Sequence, residues 1–440
     1  MSFQSIILPK RRRDLATAKR LGHLKPVLPE RIQSQQFDAI KRHWVDAVAD
    51  IPHYAALVDG GLAPRELGDW SDFETLPVLT RQVLKASPEA FIRRSRAPEK
   101  FVKTAGSTGT PLKIGVDQAA AEIMRLVKLA AWQEFGYDAD SRLFLIWGHS
   151  HLLGTRWRAG INHLRRTLAD RLLGYRRVNA YRLNREDCQL YAESLLRFKP
   201  LGVIGYASAM DLFARHTHAY REQFRALDLG FVLVTSEPPP KPDSIALLED
   251  HFGCPVVQEY GGAEFGQVAF KTGDESFLVY SDLNYVETGD PENKDADTYP
   301  LLLTSLYPRY LPLFRYAVGD AVQGPTCLAN GHVVSFDSIA GRANDTIELS
   351  DGDSIHSVSI FHCIHDEKSV HNIQMLVRDD GIEIRLIADL QSREEVKGRI
   401  LQRLAKVHPI LGQATISFSE DLVTNRAGKR RWFVDQRHKP

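Results

Sequence analysis

Ten consecutive residues, Thr104-Ala-Gly-Ser-Thr-Gly-Thr-Pro-Leu-Lys113, crowd hydroxyls, glycines and a lysine into one stretch. Glycines let successive backbone N–H groups turn toward a common point, which makes an anion nest. Gly109 lies between hydroxyl residues, and Thr104, Ser107, Thr108 and Thr110 supply donors suited to phosphate oxygens, while Lys113 adds charge. The stretch is not a Walker loop, because Gly-x-x-x-x-Gly-Lys-Ser/Thr occurs nowhere in the chain. By composition alone it reads as a surface turn.

The elements that must position such a loop follow from apolar spacing. Gln36–Asp50 carries Phe37, Ile40, Trp44, Val45 and Val48 at helical intervals. Leu76-Pro-Val-Leu-Thr80 reads as a turn into a helix capped by Thr80. Between residues 140 and 260, strands are expected at 143–147, 202–205, 231–235 and 256–260. They alternate with helices at 185–198, 209–220 and 244–252. This alternation predicts an α/β fold with a parallel sheet covered by helices, and ligands in such sheets bind at the carboxyl ends of strands. Beyond Gly341 a separate α+β pattern begins. It comprises a strand at 346–349, a helix at 358–366, a hairpin turning at 379–381, a helix at 393–407 and a strand at 414–418. A large domain over 1–343 and a small one over 344–440 are expected.

Composition bounds the partners. The chain has 440 residues, 43% hydrophobic and 25% charged, with a formal net charge of +1, so no global bias toward nucleic acid exists. The basic run Lys10-Arg11-Arg12-Arg13 lacks interleaved aromatic residues and reads as a solvated end. Four dispersed cysteines form no Cys-x-x-Cys, and no apolar run reaches the roughly 20 residues of a membrane span. A soluble, reduced, cytoplasmic protein without membrane insertion is expected.

Further segments appear in a fixed order: Trp147-Gly-His149-Ser-His151, Thr235-Ser236-Glu237-Pro238, Glu259-Tyr260-Gly261-Gly262-Ala-Glu264, Arg315-Tyr-Ala-Val-Gly-Asp320, Gly341-Arg342-Ala-Asn-Asp345 and Asn425-Arg-Ala-Gly-Lys429. With the 104–113 loop they resemble the motifs of the adenylate-forming superfamily, over nearly the whole chain. Ile51-Pro-His-Tyr54, Leu76-Pro-Val-Leu-Thr80 and Lys199-Pro-x-x-Val-Ile-Gly-Tyr206 resemble its phenylacetate-CoA ligase, CapK and coenzyme F390 synthetase-like branch.

The resemblance implies roles. The 104–113 loop cradles the β- and γ-phosphates of ATP. Ser236, Glu237 and Pro238 lie over the adenine, and Glu259, Tyr260 and Gly261 belong to the same nucleotide site, with Tyr260 stacking on the base. Glu264 holds Mg²⁺, a hard cation that favours oxygen ligands. Asp320 accepts from the ribose hydroxyls, and Arg342 contacts ribose or phosphate. Lys429 stabilises the α-phosphate under attack. Trp147, His149, Tyr206 and Gly262 border the acyl pocket. His151 either sits near the carboxylate being activated or is a satisfied histidine at a strand end.

Three departures stand out. Ala263 replaces the usual Thr or Ser, Ala317-Val318 replaces the usual residues before Gly319, and Asn344 replaces the usual hinge Asp. Only Cys327 and His332 remain of a zinc site found in some members, so no zinc is expected. The implied activity is ATP-dependent activation of a small carboxylic acid as an acyl-adenylate, with coenzyme A as leading acceptor. Transfer to an amine or a carrier protein, or a catalytically silent nucleotide-binding homologue, are the alternatives.

Overall fold

A computed structural model of the protein describes residues 4–21, 29–103, 113–147, 167–180, 183, 185–236, 238–262, 264–273, 275–290, 297–342, 346–348, 354–356, 364, 367, 369–389, 393–407, 409–419 and 433–437. Five strands, Tyr175–Val178, Leu143–Ile146, Gly202–Tyr206, Phe231–Thr235 and Val256–Gly262, lie side by side and parallel. The near-continuous burial of the middle three, Leu143–Ile146, Gly202–Tyr206 and Phe231–Thr235, fits strands covered on both faces. The helices Arg185–Phe198, Ala207–His216, Arg221–Arg225 and Ser244–Phe252 bury Leu195, Phe213, Phe224 and Phe252 on one face. Gln118–Gln133 and the N-terminal helix Gln4–Leu21 cover the other, through Leu126, Val127, Leu15 and Ala18.

The sheet does not stay parallel. After Val256–Gly262 the chain reverses into Gly266–Thr272, and Phe277–Val279, Val333–Phe336 and Thr326–Cys327 continue antiparallel to complete nine strands. The parallel sheet expected over 140–260 is present, and antiparallel strands beyond it make the whole sheet mixed. The reversal depends on backbone that carries no side chain: a Cβ on Gly261 would lie 2.4 Å from the Gly266 carbonyl oxygen, and Gly266 has φ +79°.

A second, four-stranded antiparallel sheet runs Asn284–Thr288, Tyr299–Ser305, Tyr316–Gln323, Ser338–Arg342. The helix Pro29–Asp50 packs Ile40, Trp44 and Val48 into the core it shares with this sheet. Val45, expected on that face, is 50% exposed, because the buried stripe follows Ile40, Trp44, Ala47 and Ile51 instead. The expected helix at 209–220 starts earlier, at Ala207, and its last turn is a separate 3₁₀ turn, His218–Tyr220. The strands Val370–Arg378 and Gly381–Ala388 form the expected hairpin, flanked by Thr415–Phe418 and Phe433–Asp435. With helix Arg393–Val407 this sheet closes a core of its own around Met375, Ile384, Ile400 and Leu404. The helix expected at 358–366 falls largely outside the described residues.

One short segment ties the helical N-terminal part to the second sheet. Leu79 donates its N–H to the Arg315 carbonyl at 3.1 Å, and Ala317 donates to the Leu79 carbonyl at 2.9 Å. Thr80 then caps the helix Arg81–Ala86, its Oγ1 accepting from Val83 N at 3.3 Å. Loss of an N-cap hydroxyl costs about 1 kcal/mol. Thr80→Ala is expected to lower the free energy of unfolding by about that amount in urea denaturation; an unchanged midpoint would show that the cap bears no load.

Candidate active site

Tyr260 and Asp320 meet. They are 60 residues apart, on different sheets, and the Tyr260 hydroxyl donates to Asp320 Oδ2 at 2.8 Å. Tyr260 is buried in the core between the sheets, edge-on to Phe336. Asp320 is in turn the Cα partner of Arg342 across the antiparallel pair Tyr316–Gln323 and Ser338–Arg342. The fold thus gathers Tyr260, Asp320 and the Arg342 backbone at one place.

Glu264 follows four residues after Tyr260 and is 8% exposed. Its carboxylate Oε1 lies 3.5 Å from Nη1 of Arg81. Its carbonyl oxygen accepts from the guanidinium of Arg309, which also reaches Ser305 Oγ at 3.1 Å and Tyr307 OH at 3.4 Å. Side chain and backbone of Glu264 are therefore held by two different arginines. Gly262 lies beside Glu264's turn, where a Cβ would meet the Phe265 ring at 2.5 Å.

The hairpin Lys100–Lys103/Lys113–Val116 brackets the hydroxyl-rich loop, with Lys103 and Lys113 as Cα partners at its neck. At the carboxyl end of the parallel strands, the Trp147 and Tyr206 rings lie 4.5 Å apart. Ser236, directly after Phe231–Thr235, is exposed and adopts φ +76°, a left-handed conformation costly for a residue with a Cβ. Pro238 is exposed beside it. Polar groups and a strained residue thus stand where open α/β sheets bind ligands.

No protein-family model matches the sequence. Over 237 residues the chain is 25% identical to protein CapK of Staphylococcus aureus, a match taking in 52% of this chain and 50% of CapK; the chain spans about half the length of that curated relative. Among solved structures, 2-hydroxyisobutyryl-CoA ligase in the postadenylation state, in complex with R3-HIB-AMP, superposes with a TM-score of 0.66 at 16% identity, covering 92% of this chain and 90% of that one. The acyl acid amido synthetase AtGH3.15 in complex with 2,4-DB gives 0.57 at 13% identity, covering 90% and 85%. The chain has the adenylate-forming fold.

Within the adenylate-forming fold the expected residues are distributed as follows. Tyr260, Gly261, Gly262, Glu264 and Asp320 cluster around the end of Val256–Gly262. Trp147 and Tyr206 pair at the neighbouring strand ends. Glu259, grouped with the nucleotide site by its motif, faces away from Tyr260, because successive strand residues alternate sides. Its contact is with Thr235, whose Oγ1 donates to Oε1 at 3.5 Å. Thr104, Ser107, Thr108, Gly109, Thr110, His149, His151, Glu237 and Lys429 lie outside the described residues, as do the side chains of Lys113 and Arg342.

A single carboxylate at Glu264 fits Mg²⁺, which keeps water and phosphate ligands instead of a full protein cage. Among the described residues no three His, Cys, Asp or Glu side chains gather as a metal cluster. His332 is buried, with Nε2 2.9 Å from Ser281 Oγ and Nδ1 against the Val286 backbone, and burial brings its pKa down to about 4. Cys327 is exposed. No helix among the described residues is long and apolar enough to cross a membrane.

Arg81, Arg309 and Arg315 carry positioning work that their types did not announce. Arg315 adopts φ +45° while its guanidinium binds Glu287 at 2.8 Å and the carbonyls of Glu74 and Leu76. The one sequence signal was position: Arg81 follows a helix cap, and Arg315 opens a recognised motif. Removing the Tyr260 hydroxyl withdraws a hydrogen bond to a carboxylate, a contact of about 1.5–3 kcal/mol. Tyr260→Phe is expected to destabilise the fold on that scale in chemical denaturation, and wild-type stability would show that Asp320 does not rely on Tyr260.

Proposed function

We propose that the protein is an ATP-dependent carboxylic acid ligase of the AMP-forming kind. The observation that carries this reading is the Tyr260–Asp320 hydrogen bond beside buried Glu264, because it assembles two separate motifs into one polar site at the end of the sheet. Tyr260 fixes the Asp320 carboxylate so that it accepts from the ribose hydroxyls. The loop over 104–113, carried on its hairpin, cradles the β- and γ-phosphates with its N–H and hydroxyl donors. Mg²⁺ at Glu264 would offset phosphate charge as the substrate carboxylate attacks the α-phosphorus and pyrophosphate leaves. Arg81 holds one oxygen of Glu264 at 3.5 Å, which orients the carboxylate before any ion arrives. Lys429 stabilises the charge developing on the α-phosphate.

The second half-reaction passes the acyl group from the adenylate to a nucleophile. Coenzyme A is the leading acceptor, in keeping with the fold shared with a CoA ligase; an amine or a carrier protein is the competing one, in keeping with the fold shared with an acyl acid amido synthetase. Residues 344–440 act as a lid that turns near Asn344, withdrawing Lys429 and admitting the acceptor.

The test is pyrophosphate release across a panel of carboxylic acids, with and without coenzyme A. Acid-dependent pyrophosphate is expected. Pyrophosphate without acyl-CoA would move the acceptor to an amine or carrier, and no pyrophosphate with any acid would leave a silent nucleotide-binding homologue. Lys429→Ala is expected to slow adenylation on the order of 100–1000-fold while ATP binding persists. Unchanged adenylation would remove Lys429 from the mechanism.

A further inference from the structure

Four adjacent parallel strands place one residue each in a single transverse row at their carboxyl edge. Ile146 pairs with Gly205, so Trp147 stands next to Tyr206; Tyr206 is the Cα partner of Thr235, and Thr235 of Glu259. In-register neighbours on parallel strands point to the same face. The contacts agree, with Trp147 against Tyr206 at 4.5 Å and Thr235 Oγ1 against Glu259 Oε1 at 3.5 Å. All four are half-buried; Leu145, Ile204, Leu233 and Val257 lie below in the core against which Trp147 packs, while Tyr206, the last residue of its strand, also packs against the core on the other face and meets Trp147 at the edge.

The row has two chemically distinct ends. Trp147 and Tyr206 offer planar apolar surface, which favours flat π-systems and also attracts cations. Glu259 ends the row with a carboxylate that no arginine, lysine or histidine pairs with among the described residues. A half-buried carboxylate with only a long hydroxyl contact is short of donors. Its charge is felt below, where it adds to the burial that holds the Tyr280 phenol well above its usual range. With strands about 4.8 Å apart, Tyr206 and Glu259 are about 10 Å apart, the length of a substituted aromatic ring.

Resting on the ligase reading above, we propose that this row selects the acid, and that the acid is a planar aromatic carboxylate bearing an amino group that is bound as an ammonium by Glu259 and Thr235. The ring lies along Trp147 and Tyr206. Glu259 thus serves the acyl side of the sheet, while Tyr260, one residue on, serves the nucleotide side.

Equilibrium dialysis of 3- and 4-(aminomethyl)benzoate against the isosteric 3- and 4-ethylbenzoate, without ATP, tests this directly. Wild-type protein is expected to bind at least one aminomethyl acid about tenfold or more tightly than its ethyl counterpart, the order expected for a charge-assisted hydrogen bond. Glu259→Gln is expected to bring each pair within about threefold of one another. Equal binding by the wild type, preference for the ethyl acids, or a preference that survives Glu259→Gln would each overturn the proposal. Because dialysis needs no turnover, the outcome stands apart from the ligase reading. That reading falls if no acid releases pyrophosphate, whichever acid binds.

Discussion

The 2.8 Å hydrogen bond from the Tyr260 hydroxyl to Asp320 joins two sheets that share no strand. Everything placed at the site depends on those sheets keeping their mutual setting. The apolar core between them, with Leu303, Phe314, Tyr316 and Phe336, supplies the bulk of the attraction. Apolar contact is not directional, however, and the hydrogen bond adds the direction. It fixes which face of Tyr316–Gln323 meets the end of Val256–Gly262, and so where Asp320 and the opposite Arg342 stand.

A chain of arginines, Arg309 buried and Arg81 and Arg315 half-buried, extends this setting outward. Arg315 grips the carbonyls before Leu79, Leu79 bridges to the strand at Tyr316, Thr80 caps the next helix, and Arg81 reaches Glu264. Arg309 secures the Glu264 backbone from the other side. Guanidinium suits this work because its rigid fork binds several oxygens at once and keeps its charge when buried. The result is a carboxylate at Glu264 whose position is set from two directions, as a metal-binding or charge-handling group needs.

How much of this the sequence disclosed follows from the range of the interactions involved. The helices at 185–198 and 244–252 and the strand at 231–235 appear with the expected bounds, because apolar period and flanking turns are local properties. Thr80 as a cap was legible for the same reason. The antiparallel half of the main sheet was not. Strands as short as Phe277–Val279 and Thr326–Cys327 exist only through partners found far along the chain. Tyr260, Glu264 and Asp320 were marked by motif resemblance, whereas the use of Arg81 and Arg309 depends on burial that tertiary packing alone creates. Glu259 was open to a simpler inference, since two-residue strand alternation separates it from Tyr260.

Successive residues of the strand Val256–Gly262 thus face opposite ways, Tyr260 toward Asp320 and Glu259 toward Thr235, and the proposed division of nucleotide and acid recognition rests on that alternation. The measurement closest to the central claim follows an oxygen atom. An acid labelled with ¹⁸O in its carboxylate, incubated with the protein, ATP and hydroxylamine as acceptor, should yield AMP carrying one labelled phosphoryl oxygen. Unlabelled AMP, or ADP and phosphate as the products, would contradict an acyl-adenylate and with it the account of the site.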